Sequence, residues 1–191
     1  MPSVFSHAIA AVAVGAVAVG GRSRAIVWGL GALCAVAPDL DVLTSFVFRI
    51  PYQHMLGHRG LSHSLLLAAV LGMLVAAFAH RTLTESPGMA KLWVFFSIAT
   101  ASHGLLDSMT DGGLGVAFFA PFSDTRYFMP WRPIAVSPIL LRVFFGRRGV
   151  RVMWSELGWI WVPATLVFLA GLALRRRDSG STSRKPLSGA T

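Results

Sequence analysis

Apolar residues along this chain fall into runs, and each run ends in a short polar knot. Val4 to Gly20 is rich in Ala, Val and Gly and closes at Gly21-Arg22-Ser23-Arg24, while Ala25 to Ala37 follows it and is stopped by Pro38. Thr44 to Ile50 reads as a short interfacial stretch before the loop Pro51 to Gly60. Leu61 to Ala79 has membrane length, with Ser62 as the expected N-cap and His80-Arg81 at its end. Leu92 to Leu106 gives a fourth run, and Leu157 to Leu174 a last one, edged by Trp159 and Trp161 and halted by Arg175-Arg176-Arg177. Between these two, the Phe, Pro and Arg residues of Leu114 to Gly149 predict interfacial loops and a short helix rather than a crossing.

The pattern predicts an all-α protein, a polytopic transmembrane helical bundle of about five membrane helices plus interfacial helices. Residues 1–176 form the membrane-embedded domain, and the Ser-, Gly- and Arg-containing segment 177–191 reads as a disordered basic tail. Composition agrees: 54% of residues are hydrophobic and only 13% charged, with a mean hydropathy of +0.64, which excludes an ordinary soluble domain. Met1 to His7 holds no Lys or Arg, so the first run lacks the basic region of a cleavable signal and reads as a retained helix.

The formal charge of +9 would suit nucleic acid, but the basic residues flank apolar runs. That is where topology signals and headgroup contacts belong, so no nucleic-acid partner is expected. The Arg22 and Lys91 side is favoured as cytoplasmic, with the site toward the outer face, while Arg147, Arg148 and Arg151 favour the opposite orientation unless their region re-enters. Cys34 is the only cysteine, which excludes an internal disulfide and a thiolate zinc site.

Histidines and carboxylates are few, and half of them gather in three clusters at the ends of apolar runs: Pro38-Asp39-Leu40-Asp41, His58-Arg59-Gly60-Leu61-Ser62-His63-Ser64, and His103-Gly104-Leu105-Leu106-Asp107 with Asp111 beyond. His7 is a fourth, outlying element. Ionisable groups near hydrocarbon are expensive and point to function. If the first four runs alternate in direction, the start of the first, the end of the second, the start of the third and the end of the fourth share one membrane face. All the clusters occupy those ends. The opposite ends carry Arg22, Arg24, Arg81 and Lys91, with His80 and Glu85 isolated among them.

His103 and Asp107, four residues apart, share one helix face, and Asp111 continues the stripe if the helix extends. Imidazole nitrogen with carboxylate oxygen suits zinc or another divalent transition metal. A hydrogen-bonded interfacial pair would use the same spacing. Asp39 and Asp41 follow a proline that ends a helix, so both carboxylates can turn toward one point from a loop, as ligands or as a simple cap. His58 and His63 bracket a helix start whose N–H groups, together with the planar guanidinium of Arg59, suit a phosphate or carboxylate. Arg126 is a second candidate cation for an anionic substrate, or a headgroup contact.

The combination of His7, Pro38-Asp39-Leu40-Asp41, His58-Arg59-Gly60-Leu61-Ser62-His63-Ser64 and His103-x3-Asp107 resembles the YdjM family of bacterial membrane proteins, to which metal-dependent hydrolysis is ascribed. The resemblance covers residues 1–130, and the His-Arg-Gly-x-Ser-His-Ser string is its most specific part. The ligand order is also distantly similar to the zinc-dependent phospholipase C and single-strand nuclease group, all-helical phosphoesterases that use several zinc ions. By that resemblance His7, Asp39, His58, His63, His103 and Asp107 are metal ligands, with Asp41 or Asp111 as a further ligand or general base. The chain departs from that group in being membrane-embedded and in having fewer histidines.

The expectation is a multi-pass protein of the bacterial inner membrane that binds one to three divalent metal ions, zinc first among them. It would hydrolyse a phosphoester or ester of a membrane lipid or other amphiphile, with Arg59 and Arg126 stabilising developing charge. The alternative is a metal-binding or metal-transporting membrane protein without hydrolysis.

Overall fold

The structure, a computed structural model, describes residues 1–138 and 144–182. Its elements are helices α1 (Val4–Ala18), α2 (Arg24–Val36), α3 (Val42–Phe48), α4 (Leu65–Thr82), α5 (Met89–Ser108), α6 (Arg147–Glu156) and α7 (Val162–Thr182). Short 3-10 turns cover Ala37–Asp41 and Leu61–His63, and a π-helical turn, Leu157–Trp161, joins α6 to α7. No strand occurs among the described residues; two isolated bridges, Thr110 to Ile134 and Val116 to Tyr127, tie the loop after α5 to itself. Residues 183–191 of the expected tail lie outside the described residues, and the helical backbone of α7 reaches Thr182.

Four stretches among the described residues are long and apolar enough to cross a membrane: Arg24–Phe48, Leu65–Thr82, Met89–Ser108 and Arg147–Arg176. Helix α1, at 15 residues, is shorter and packs against α2, α5 and α7, while α4 and α5 form the closest pair. The interior is built from small residues and a few rings: Ala11, Ala35 and Ala99 meet where α1, α2 and α5 cross, and Val27, Cys34, Ala76, Leu92, Phe95 and Phe96 fill one larger cluster. Small residues let helix backbones approach where lipid offers no hydrophobic drive to associate. A Cβ on Gly72 would come within 2.3 Å of Ser97 Oγ, so this glycine sets the α4 to α5 spacing. Outward faces expose Leu74, Phe78, Val94, Ile98, Leu166 and Leu169, the surface expected of helices bathed in acyl chains.

The second helix does not stop at Pro38. It tightens into the 3-10 turn and runs on into α3, so Asp39 and Asp41 sit on a helical turn rather than in a loop. Proline is tolerated because it occupies the first positions of that turn, where an N–H would be unpaired in any case. The third run begins later than its apolar pattern suggests: the cap of α4 is Ser64, whose side chain accepts from Leu67 N at 3.1 Å. Ser62 lies in the preceding 3-10 turn and is committed elsewhere.

The start of α1 is held from outside its own sequence. Glu156, fully buried at the end of α6, accepts hydrogen bonds from Ser3 N and from the hydroxyls of Ser3 and Ser6. Trp161 Nε1 donates to Ser6 Oγ at 2.7 Å. A carboxylate at a helix N-terminus satisfies orphan N–H groups and opposes the helix dipole. Replacing Glu156 by Ala strands those donors in an apolar interior, and the expected loss is about 2–3 kcal/mol of stability. Reversible unfolding of the detergent-solubilised protein measures it, with Glu156→Gln expected to lose less; an unchanged midpoint in Glu156→Ala contradicts the capping role.

Candidate metal centre

Four elements converge at one end of the bundle. The first turn of α1 brings His7, the 3-10 turn after α2 brings Asp39 and Asp41, the turn before α4 brings His63, and the last two turns of α5 bring His103 and Asp107. The alternation of helix direction read from the sequence therefore delivers side chains distant in the chain to one place. One atom from each of Asp39, His63, His103 and Asp107 lies within 4.8 Å of the other three.

The spacing suits a cation. His63 Nε2 and His103 Nε2 are 3.0 Å apart, His103 Nε2 and Asp39 Oδ1 3.2 Å, His63 Nε2 and Asp107 Oδ2 3.6 Å, and His63 Nε2 and Asp39 Oδ1 3.9 Å. The edge of a tetrahedron around zinc is about 3.3 Å when its bonds are about 2.0–2.1 Å. His7 lies flat on His103, ring centroids 3.7 Å apart and planes 16° off parallel, with Nε2 3.6 Å from Asp107 Oδ1.

Two of these rings are oriented from behind. His103 Nδ1 is 2.6 Å from the Ala35 carbonyl, which only a protonated Nδ1 can satisfy, so the Nε2 lone pair turns inward. His63 Nδ1 is 3.2 Å from Asp41 Oδ2 and 2.8 Å from Ser62 Oγ, and Ser62 Oγ also donates to Asp41. A carboxylate or carbonyl behind a histidine is the usual means of aiming the other nitrogen at a metal. Asp41 also holds His58 Nδ1 at 2.6 Å and accepts from Arg59 N at 3.1 Å. Asp41, His58 and His63 thus form a second group able to hold a metal ion, sharing His63 with the first.

Polar satisfaction supplies the fit test. Both nitrogens of His7 and both oxygens of Asp39 and of Asp107 are buried without a hydrogen-bond partner. Arg59 Nε approaches Asp107 Oδ2 at 2.8 Å as an ion pair but is not aligned as a hydrogen bond. Two carboxylates left in this state cost several kcal/mol each, and a divalent cation among them removes that cost. The donor set, nitrogen and oxygen without sulfur, fits zinc and its divalent neighbours.

The arginines are placed differently from a free substrate clamp. Arg59 is fully buried, with a φ of 64° that non-glycine residues rarely adopt. Its guanidinium donates to the Gly112 carbonyl and to Thr110 Oγ1 at 3.1 and 3.2 Å. Gly113, at φ 93°, leaves room for it, because a Cβ there would stand 2.6 Å from Arg59 NH1. Arg126 donates to the carbonyls of His58, Tyr52, Gln53 and His54, and so staples the loop that carries His58. Asp111 is not brought to the cluster: it accepts from Val136 N at 2.8 Å on the surface. Sequence reasoning passed over the Ala35 carbonyl and Glu156. A lone acidic residue in a Trp-rich apolar stretch was the available signal for Glu156; nothing in the sequence marks a particular carbonyl.

The family model for the YdjM inner membrane protein matches residues 1–178. The chain belongs to the YdjM family. It is 39% identical over 180 residues to the inner membrane protein YbcI of Escherichia coli (strain K12), covering 93% of this chain and 99% of that one. No solved structure matches it. Membership fixes the location: this YdjM-family chain is an inner membrane protein, and its buried His and Asp groups are able to hold a metal ion at one end of the spans.

Metal content should follow the geometry. Elemental analysis of detergent-purified protein is expected to lose metal in His103→Ala and Asp107→Ala but to retain it in Asp111→Ala; equal metal in all three contradicts the cluster. Without a cation, burial opposes a charge on His63, but the adjoining Asp107 and Asp41 carboxylates outweigh it and push its pKa up to about 9. Metal must then displace a proton from His63 below that pH. Affinity therefore rises as pH increases toward 9, by up to about tenfold per unit. Chelator competition at several pH values checks this, and an affinity that is flat or falls with pH contradicts it.

Proposed function

We propose that this protein is a membrane-bound metal-dependent hydrolase that cleaves a phosphoester or ester of a lipid or other amphiphile. The observation that carries this reading is the buried quartet Asp39, His63, His103 and Asp107, whose carboxylates lack hydrogen-bond partners at the end of a membrane bundle. A divalent cation held there, zinc by its ligand preferences, would supply Lewis acidity for activating water and for drawing charge off the scissile bond.

The chain's own residues divide the remaining work. His63 and His103 are fixed in orientation by Asp41 and by the Ala35 carbonyl, which favours a preformed site. Arg59 pairs with Asp107 at Oδ2, the oxygen that also faces His63, and keeps positive charge near any anionic substrate. Asp41 acts through His63 and His58, and Arg126 through the loop it staples. Hydrolysis adds the elements of water across one bond: hydroxyl to phosphorus or acyl carbon, and a proton to the departing alcohol.

The test is turnover of phosphatidylglycerol and its lyso form by the purified protein in mixed micelles. His103→Ala and Asp39→Asn are expected to lower it at least about 100-fold while both variants still insert. Wild-type turnover in both contradicts the proposal. Metal flux in proteoliposomes with no lipid turnover replaces it with a carrier.

A further inference from the structure

Three cavities lie in sequence beside the cluster, and their polarity changes along the way. The first, about 470 Å³, opens on the apolar flank of the bundle between α1 and α6 and is walled by Phe5, Phe145, Val150, Met153, Trp154 and Leu157 among others. The second, about 440 Å³, shares Phe5 and Phe144 with the first and is lined by Asp39. The third, about 430 Å³, shares Met1, Ser137 and Pro138 with the second and is lined by His58, Arg59, Tyr52 and Arg148. The three share walls in series, from an apolar opening, past Asp39, whose carboxylate oxygens are buried just behind the wall, to a cationic end.

Resting on the hydrolase reading, we propose that the substrate class is an anionic single-headgroup amphiphile that enters sideways from the bilayer. Its acyl chain lies in the cleft between α1 and α6, and its phosphate or carboxylate lies against Arg148 and Tyr52. The scissile bond falls between them, at Asp39. Each cavity has the size of an ordinary ligand site. A small water-soluble phosphoester has no use for a cleft walled by Phe5, Met153 and Trp154, and a neutral lipid has none for Arg148. Arg148 is exposed in the third cavity, whereas Arg59 is already held by Asp107, Thr110 and Gly112 and contributes only its field. Val150, 59% exposed, lies at the apolar mouth, where a charge obstructs a chain without disturbing the interior.

Hexadecyl phosphate is the probe, with hexadecanol and inorganic phosphate as its two halves, titrated into the full-length protein in non-ionic detergent. The expected result is saturable binding of hexadecyl phosphate that exceeds either half. Arg148→Ala should weaken it about tenfold, the loss of one charge-assisted contact, without changing hexadecanol. Val150→Arg should weaken hexadecyl phosphate and hexadecanol but leave inorganic phosphate unchanged. Inorganic phosphate binding as well as the full probe, or wild-type binding of the probe by both variants, overturns the proposal. Elemental analysis of the same samples separates the two readings: metal present without saturable probe binding overturns this one, and probe binding without metal overturns the hydrolase reading alone.

Discussion

Two carboxylates, Asp39 and Asp107, are buried at the end of a membrane bundle among imidazoles, and their oxygens accept no hydrogen bonds. That placement is costly in any low-dielectric surrounding. Only charge of opposite sign repays it: Arg59 supplies one unit to Asp107, and without a metal a proton on His63 supplies another between Asp107 and Asp39. The rest of the architecture is arranged around holding these groups close enough for a cation to complete the balance.

Helix ends do the holding. His7, His63, His103 and Asp107 lie at or beside helix termini, and Asp39 on the 3-10 turn between α2 and α3, so side chains distant in the chain meet at one end of the bundle. Close helix approach, allowed by Ala11, Ala35 and Ala99, brings the Ala35 carbonyl within reach of His103. The Glu156 cap fixes the start of α1, one residue from His7. Arg59 and Arg126 are spent on carbonyls and on Asp107, so positive charge is rigid at the site rather than mobile.

Much of this was legible in the sequence because apolar runs and polar knots alternate. The helical class, the shared face of the clusters and the meeting of His63 with Asp39 all follow from run length and alternating direction. Local detail was not. Pro38 reads as a stop, yet the 3-10 turn absorbs it, and Ser62 and Ser64 are equivalent caps until one is claimed by Asp41. The two arginines looked like substrate clamps because charge is visible in a sequence and the carbonyls that satisfy it are not. Asp111 lies off the cluster because α5 ends at Ser108, so the stripe from His103 through Asp107 does not continue.

X-ray absorption at the metal edge of the purified protein tests the central claim most directly. The account predicts nitrogen and oxygen neighbours only, at about 2.0–2.1 Å for zinc, with the outer-shell scattering of two imidazoles from His63 and His103. A first shell containing sulfur, or one with no imidazole signature, contradicts it.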